Sequence, residues 1–197
     1  MRIVLLVVCL LLGCSSSPKL TPVPPDGVIL AFGDSLTHGT GAGDGESYPE
    51  VLQGLIGRTV VNAGIPGETT AEGLARLPGV LDETTPRLMI LCLGGNDFLR
   101  RLDEKQAADN LRAMVALARS RGVEVVLMAV PRFGLTLSPP ELYAQMAEEL
   151  KLPLESGIMR SVVMNSAMKS DEVHPNAAGY KAVAEALAEL LRKSGAV

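Results

Sequence analysis

Three side chains in this sequence have the types needed for acyl transfer: a hydroxyl at Ser35, an imidazole at His174 and a carboxylate at Asp171. Ser35 sits in the stretch Leu30-Ala31-Phe32-Gly33-Asp34-Ser35-Leu36-Thr37-His38-Gly39, where an apolar run meets a glycine corner. A serine hydroxyl is a weak nucleophile until a base takes its proton during attack. Imidazole titrates near neutrality and suits that task. Its second nitrogen needs an acceptor, and Asp171, three residues before His174, lies within reach of a local turn. A tetrahedral intermediate also needs hydrogen-bond donors. The candidates are the backbone N–H groups of Ser35 and Gly64 and the side-chain amide of Asn96. Gly64 has no Cβ, which would let a substrate approach its backbone.

Each of these residues also has a plainer reading. Asp34 and Ser35 could cap a helix, and His174 could cap the last one. Asp171 could be a surface acid, Asn96 a turn former and Gly64 a turn glycine. His38, the second histidine, is expected on a surface loop or a pocket wall. Asp97 is expected to tie down its own loop. Met159, Met164 and Met168 read as core or as a pliable wall for an acyl chain.

The elements around these residues decide between the readings. Residues 28–32, 59–62, 88–93 and 123–130 form short apolar or β-branched runs, with a possible edge strand at 152–154. Residues 88–93 are apolar throughout, as in a strand buried on both faces of a parallel sheet. Helical patterns fall between them: one opening at Ser47 with Glu50 at capping-box spacing, one from Gly67 to about Leu77, then a weak turn between Gly79 and Pro86. Further helices cover 105–120 and 141–150, and a last one follows Pro175. Alternating strands and helices with short links imply parallel strands covered on both faces. In such a sheet all strand exits share one edge. Asp34-Ser35, Asn62 to Gly64 and Gly94 to Asp97 therefore meet there, and the loop 171–176 returns over the same edge.

The chain has 197 residues, enough for one domain with a substantial core, and no internal repeat. A net charge of -4 with no basic block argues against nucleic acid. Aromatics at 3 % and an absence of tryptophan argue against base stacking or lectin-like binding. Two histidines far apart give no metal-ligand spacing. The glycine-rich loop 39–45, expected as a mobile rim, lacks the Lys-Ser/Thr ending of a phosphate loop. No metal or cofactor is expected.

The amino terminus carries a separate signal. Arg2 precedes ten apolar residues, 3–12, too few to span a bilayer and suited to a secretory signal. The run ends Leu11-Leu12-Gly13-Cys14, which resembles a bacterial lipobox. That resemblance implies cleavage after residue 13, lipidation of Cys14, and outer-membrane placement from Ser15. The expected organisation is a signal over 1–13, a lipidated flexible tether over 14–26 and a catalytic domain over 27–197. Cys9 would leave with the signal, so Cys92 has no disulfide partner and reads as a small buried hydrophobe.

Four pieces carry a family resemblance: Gly33-Asp34-Ser35-Leu36-Thr37, Asn62-Ala63-Gly64, Gly94-Gly95-Asn96-Asp97 and Asp171-Glu172-Val173-His174-Pro175-Asn176. Together, in this order, they resemble the SGNH hydrolases, or GDSL esterases/lipases. The phrase Gly45-Glu46-Ser47-Tyr48-Pro49 resembles the small bacterial arylesterase, thioesterase I and lysophospholipase L1 group. The resemblance implies a flavodoxin-like three-layer α/β/α sandwich with a parallel five-stranded sheet. It implies Ser35, Asp171 and His174 as triad, and Ser35, Gly64 and Asn96 as oxyanion hole. It implies a serine esterase or thioesterase acting on small acyl esters or envelope lipids. Two alternatives remain open at this point: an O-acetyl esterase of envelope polysaccharide, and a non-catalytic envelope-binding lipoprotein. The Gly-x-Ser-x-Gly elbow of the ordinary α/β-hydrolases is absent.

Overall fold

A computed structural model describes residues 18–133 and 137–197. The expected signal segment and Cys14 lie outside the described residues. Five parallel strands form one sheet in the order β2-β1-β3-β4-β5. They are β1 (Val28–Gly33), β2 (Thr59–Gly64), β3 (Leu88–Cys92), β4 (Glu124–Met128) and β5 (Leu154–Glu155). β3 is the central strand, between β1 and β4, and is buried at every position. That explains its uninterrupted apolar sequence, since a parallel strand with helices on both faces has no solvent side.

Helices cover both faces. On one side α2 (Tyr48–Ile56) and α7 (Ile158–Met164) pack against α8 (Ala177–Ser194). On the other, α3 (Thr70–Thr84) and α6 (Glu141–Leu150) pack against α5 (Glu104–Ser120). Two short helices, α1 (Ser35–His38) and α4 (Gly95–Leu99), start at the carboxyl ends of β1 and β3. Tyr180, Val183, Ala184, Leu187 and Leu191 form the buried face of α8. The three-layer α/β/α architecture expected from the pattern is the one observed.

Three local features differ from expectation. α3 runs unbroken through Pro78 instead of stopping near Leu77. An interior proline destabilises a helix by about 3 kcal/mol. Leu77 and Leu81, one turn apart and both buried, hold the helix across the gap, each contributing roughly 1.5–3 kcal/mol. α7 was not expected, while residues 165–172, which read as a loop or a short turn of helix, do hold a 3-10 turn, Ser166–Met168. The segment 18–26 is also not free. Leu20 N–H donates to Ser194 O at 2.8 Å, Val23 N–H to Ala196 O at 2.8 Å, and Thr21 N–H to Glu124 Oε2 at 2.8 Å. Val23 is buried, and its carbonyl accepts from Arg58 Nε at 3.1 Å. The packed body therefore begins near Lys19, not Gly27, and the expected tether shortens accordingly.

Candidate active site

The exits of β1, β2 and β3 converge at the carboxyl edge of the sheet. β1 ends at Gly33, where a Cβ would lie 2.1 Å from Thr37 Oγ1 and 2.4 Å from Cys92 O. The glycine lets the chain turn directly from β1 into α1, which packs against the ends of β1 and β2. Asp34 caps this helix, accepting from Leu36 N–H at 3.0 Å. Ser35 is its first residue, where a backbone N–H has no acceptor within the helix. The capping role weighed for this stretch thus belongs to Asp34, which leaves the Ser35 hydroxyl available.

The loop before α8 brings in the histidine. Lys169 and Pro175 form an antiparallel bridge, and Ser170 N–H donates to His174 O at 2.9 Å. Asp171 Oδ1 accepts from the N–H groups of Val173 at 2.7 Å and His174 at 2.8 Å, which fixes a tight turn. Asn176 caps α8 through Gly179 N–H at 3.1 Å. The glycine-rich loop, expected as a mobile rim, packs on this turn: a Cβ at Gly41 would meet Ser170 Oγ at 2.1 Å. Tyr180 Oη donates to Thr40 O at 2.8 Å from below. These contacts set His174 Nε2 at 3.0 Å from Ser35 Oγ, and His174 Nδ1 at 2.8 Å from Asp171 Oδ2.

Partial burial pushes the Asp171 carboxyl up, but hydrogen bonds from the His174 ring and from two backbone N–H groups outweigh it and bring it down to about 2. An ionised carboxylate only accepts, so Nδ1 carries the ring proton and Nε2 is left to accept from Ser35. The arrangement can take a proton from the hydroxyl as it attacks. Exposed His38 is not part of it; its carbonyl accepts from Asn62 Nδ2 at 3.3 Å.

The expected oxyanion donors are placed less simply. Gly64 N–H is occupied by Asn62 Oδ1 at 3.0 Å. A Cβ there would lie 2.1 Å from His38 N, so the glycine admits α1 against β2, not a substrate. The next four residues, Ile65-Pro66-Gly67-Glu68, have the marks of a type II turn: proline second, glycine third with φ +82°, and Glu68 N–H donating to Ile65 O at 3.2 Å. Gly67 N–H takes no part in that turn bond. Asn96 Nδ2 donates to Glu68 O at 2.9 Å, with Asp34 Oδ2 at 3.4 Å. Arg100 Nη2 donates to Gly67 O at 2.7 Å. The turn that touches Asn96 thus offers Gly67, not Gly64.

One residue was missed altogether, and another was assigned the wrong partner. Arg76 of α3 makes a fork on the buried Glu68 carboxylate. It also donates to Ala63 O at 2.8 Å and Gly33 O at 3.3 Å, and lies 4.0 Å over the Phe32 ring. One guanidinium therefore ties the end of β1 to the end of β2 and to the turn. Asp97, expected to hold its own loop, instead pins the start of α3, accepting from Thr70 N–H at 2.9 Å and Thr70 Oγ1 at 2.7 Å. Of the methionines, Met159 is core, Met168 packs at its margin and Met164 is 57 % exposed. Cys92 is buried, and burial pushes its thiol well up, which keeps it unreactive.

Asp34 is the odd group of the site. It is 1 % exposed, and burial raises its carboxyl to about 7 against the lowering effect of the Leu36 N–H, with Glu68 and Asp97 adding to the rise. The unfolded chain releases this proton near 3.8 and the folded one near 7. Stability therefore falls as pH rises between those values and stays lower above them. Asn at this position caps a helix as well as Asp. Asp34→Asn is expected to melt several degrees above the parent at pH 8 and level with it at pH 4. Equal differences at both pH values, by scanning calorimetry, would contradict this.

The model of the GDSL-like Lipase/Acylhydrolase family matches residues 31–182. An arylesterase of Vibrio mimicus is 34 % identical over 176 residues, 84 % of this chain and 88 % of that one. The Escherichia coli (strain K12) thioesterase 1/protease 1/lysophospholipase L1 is 31 % identical over 174 residues, 83 % of each. Among solved structures, TesA superposes with a TM-score of 0.76 at 31 % identity, covering 84 % of this chain and 98 % of that one. The psychrotrophic esterase EstA of Pseudoalteromonas sp., inhibited by monoethylphosphonate, also gives 0.76, at 26 % identity over 85 % and 98 %. With its fold, its strand-exit motifs and these matches in agreement, the chain belongs to the GDSL-like lipase/acylhydrolase family.

Proposed function

We propose that this acylhydrolase, a carboxylic ester hydrolase, cleaves small acyl esters and thioesters through an acyl-enzyme on Ser35. The observation that carries the reading is the unbroken chain Ser35 Oγ, His174, Asp171, with links of 3.0 and 2.8 Å. Ser35 Oγ attacks the carbonyl carbon as His174 Nε2 takes its proton. The imidazolium, paired with Asp171, then protonates the leaving alcohol or thiol as its bond to carbon breaks. Water, deprotonated by His174, repeats the attack on the acyl-enzyme and frees the acid. Charge on the carbonyl oxygen is met by Ser35 N–H, Gly67 N–H and Asn96 Nδ2.

Beside Gly67 lies a cavity of about 350 Å³, walled by Ile65, Pro66, Glu68, Glu72 and Arg100. Ser35 and His174 do not line it; it adjoins the proposed site only through Gly67, and its mixed lining offers no long apolar groove for an extended acyl chain. Rates on p-nitrophenyl esters from acetyl to palmitoyl, with Ser35→Ala as blank, test the reading. The acetyl and butyryl esters are expected to lead. An optimum at palmitoyl would refute the small-ester assignment, and an active blank the mechanism. Residues 11–14 support a second part of the proposal, a lipid anchor on Cys14 that holds the enzyme in the bacterial envelope, at the outer membrane.

Arg76 acts on this chemistry by position. Arg76→Ala is expected to lower kcat about tenfold with KM nearly unchanged, because the turn carrying Gly67 and the acceptor of Asn96 loses its tie to β1. Arg76→Lys should not restore it, since an ammonium cannot fork on Glu68 and reach both carbonyls. Steady-state kinetics on p-nitrophenyl butyrate decide the point; a rise in KM alone would argue for a substrate contact instead.

A further inference from the structure

The segment that leads to the proposed anchor and the proposed active site lie at opposite ends of the sheet. Residues 19–23 are fastened at the amino end: Lys19 Nζ donates to Lys193 O at 2.9 Å, and Leu20 and Val23 are bonded to the tail of α8. Thr21 is bonded twice to Glu124 at the first residue of β4, through its N–H at 2.8 Å and its hydroxyl at 3.3 Å. Ser35 and His174 sit past the carboxyl end of β1, whose six residues are Val28–Gly33.

Lengths then decide what the enzyme can touch. Thirteen free tether residues, 14–26, would span about 45 Å, enough to carry the domain around and lay its active edge on the membrane. With the chain docked from residue 19, only the five peptide steps from Cys14 to Lys19 remain, about 17 Å when fully extended. The path from Val28 to Ser35 alone is about 20 Å. The remaining tether is shorter than the body it would have to pass.

Resting on the proposed esterase activity and Cys14 anchor, we infer that the anchored enzyme holds its active site out of reach of its own leaflet. Its substrates are water-borne acyl esters, and the ester lipids packed around the anchor are spared. The docked segment acts as a spacer that faces the catalytic edge away from the bilayer.

The test uses the full chain expressed and processed in bacteria, then reconstituted in phosphatidylcholine/phosphatidylglycerol vesicles. A second form carries twenty Gly/Ser residues inserted after Ser17. Each is assayed on p-nitrophenyl butyrate in solution and on a fluorogenic ester phospholipid in the same vesicles, with Ser35→Ala as blank. The expected result is equal rates within twofold on the soluble ester, and at least tenfold faster hydrolysis of the vesicle ester by the lengthened form. Equal vesicle-ester rates in the two forms, fast or slow, would overturn the inference, because reach would not be what limits them. Radiolabelled palmitate, entering the parent and not Cys14→Ala, separates the failures. No label removes the anchor and this inference together; label with equal vesicle rates removes the inference alone. Failure on the soluble ester removes the proposed activity, and this inference with it.

Discussion

Replacing Ser35 by alanine is expected to lower kcat on p-nitrophenyl butyrate by at least about 10⁴-fold, with the melting temperature nearly unchanged. In the proposed mechanism the hydroxyl oxygen supplies the bond-forming electrons, and no other group there is placed to stand in for it. Residual activity would come from water attacking an ester already held by the oxyanion donors, which typically leaves roughly 10³–10⁴-fold catalysis over the uncatalysed reaction. His174→Ala should fall nearly as far, and the double variant little further, because the two act as one unit. A fluorophosphonate probe should label the parent and not Ser35→Ala. EstA, the structural relative bound by monoethylphosphonate, makes that reagent a natural choice. Additive losses in the double variant, or more than a tenth of parental activity in Ser35→Ala, would remove the nucleophile assignment.

Much of this was legible in the sequence where the signal is local. β3 reads as a strand because burial on both faces forces an apolar residue at each position. The Asp171–His174 pair reads at once because three residues of chain close the turn. What stayed hidden is non-local. Arg76 draws its partners from Phe32, Gly33, Ala63 and Glu68, four positions on three separate segments, and no spacing rule connects them. α3 hid behind Pro78, since propensity records the lost N–H while the packing of Leu77 and Leu81 is tertiary. The docking of residues 19–23 hid in a proline-rich stretch whose composition also fits a free tether. Gly67 is the instructive case. Pro66-Gly67 announces a type II turn, yet those residues read as the lead-in to a helix, and Gly64 took the donor role because it sits closer to a strand end.

That substitution of one glycine for another can be resolved by experiment, together with the weight of Asn96. Asn96→Ala is expected to lower kcat roughly 100- to 1000-fold, the usual consequence of losing one preorganised donor. KM should hardly move, since the bond strengthens only as charge builds on the oxygen. Asn96 Nδ2 has two hydrogens; the one on Glu68 O at 2.9 Å sets the amide plane, and the other, with only Asp34 Oδ2 at 3.4 Å, is weakly engaged and left available to substrate. The glycines should behave differently. Gly64→Ala drives a methyl into the His38 backbone at 2.1 Å and should lower the melting temperature sharply. Gly67→Ala keeps its N–H and meets only Arg100 Nη2 at 3.6 Å, so the loss is limited to holding alanine at φ +82°, about 1–2 kcal/mol. Once folded, it should retain most of its kcat. If instead folded Gly64→Ala lost rate with no loss of stability, the amide of Gly64 would be the donor and its bond to Asn62 a resting-state contact. The two glycines stand three positions apart and have opposite physical reasons for lacking a side chain, so kinetics and melting measured side by side distinguish them.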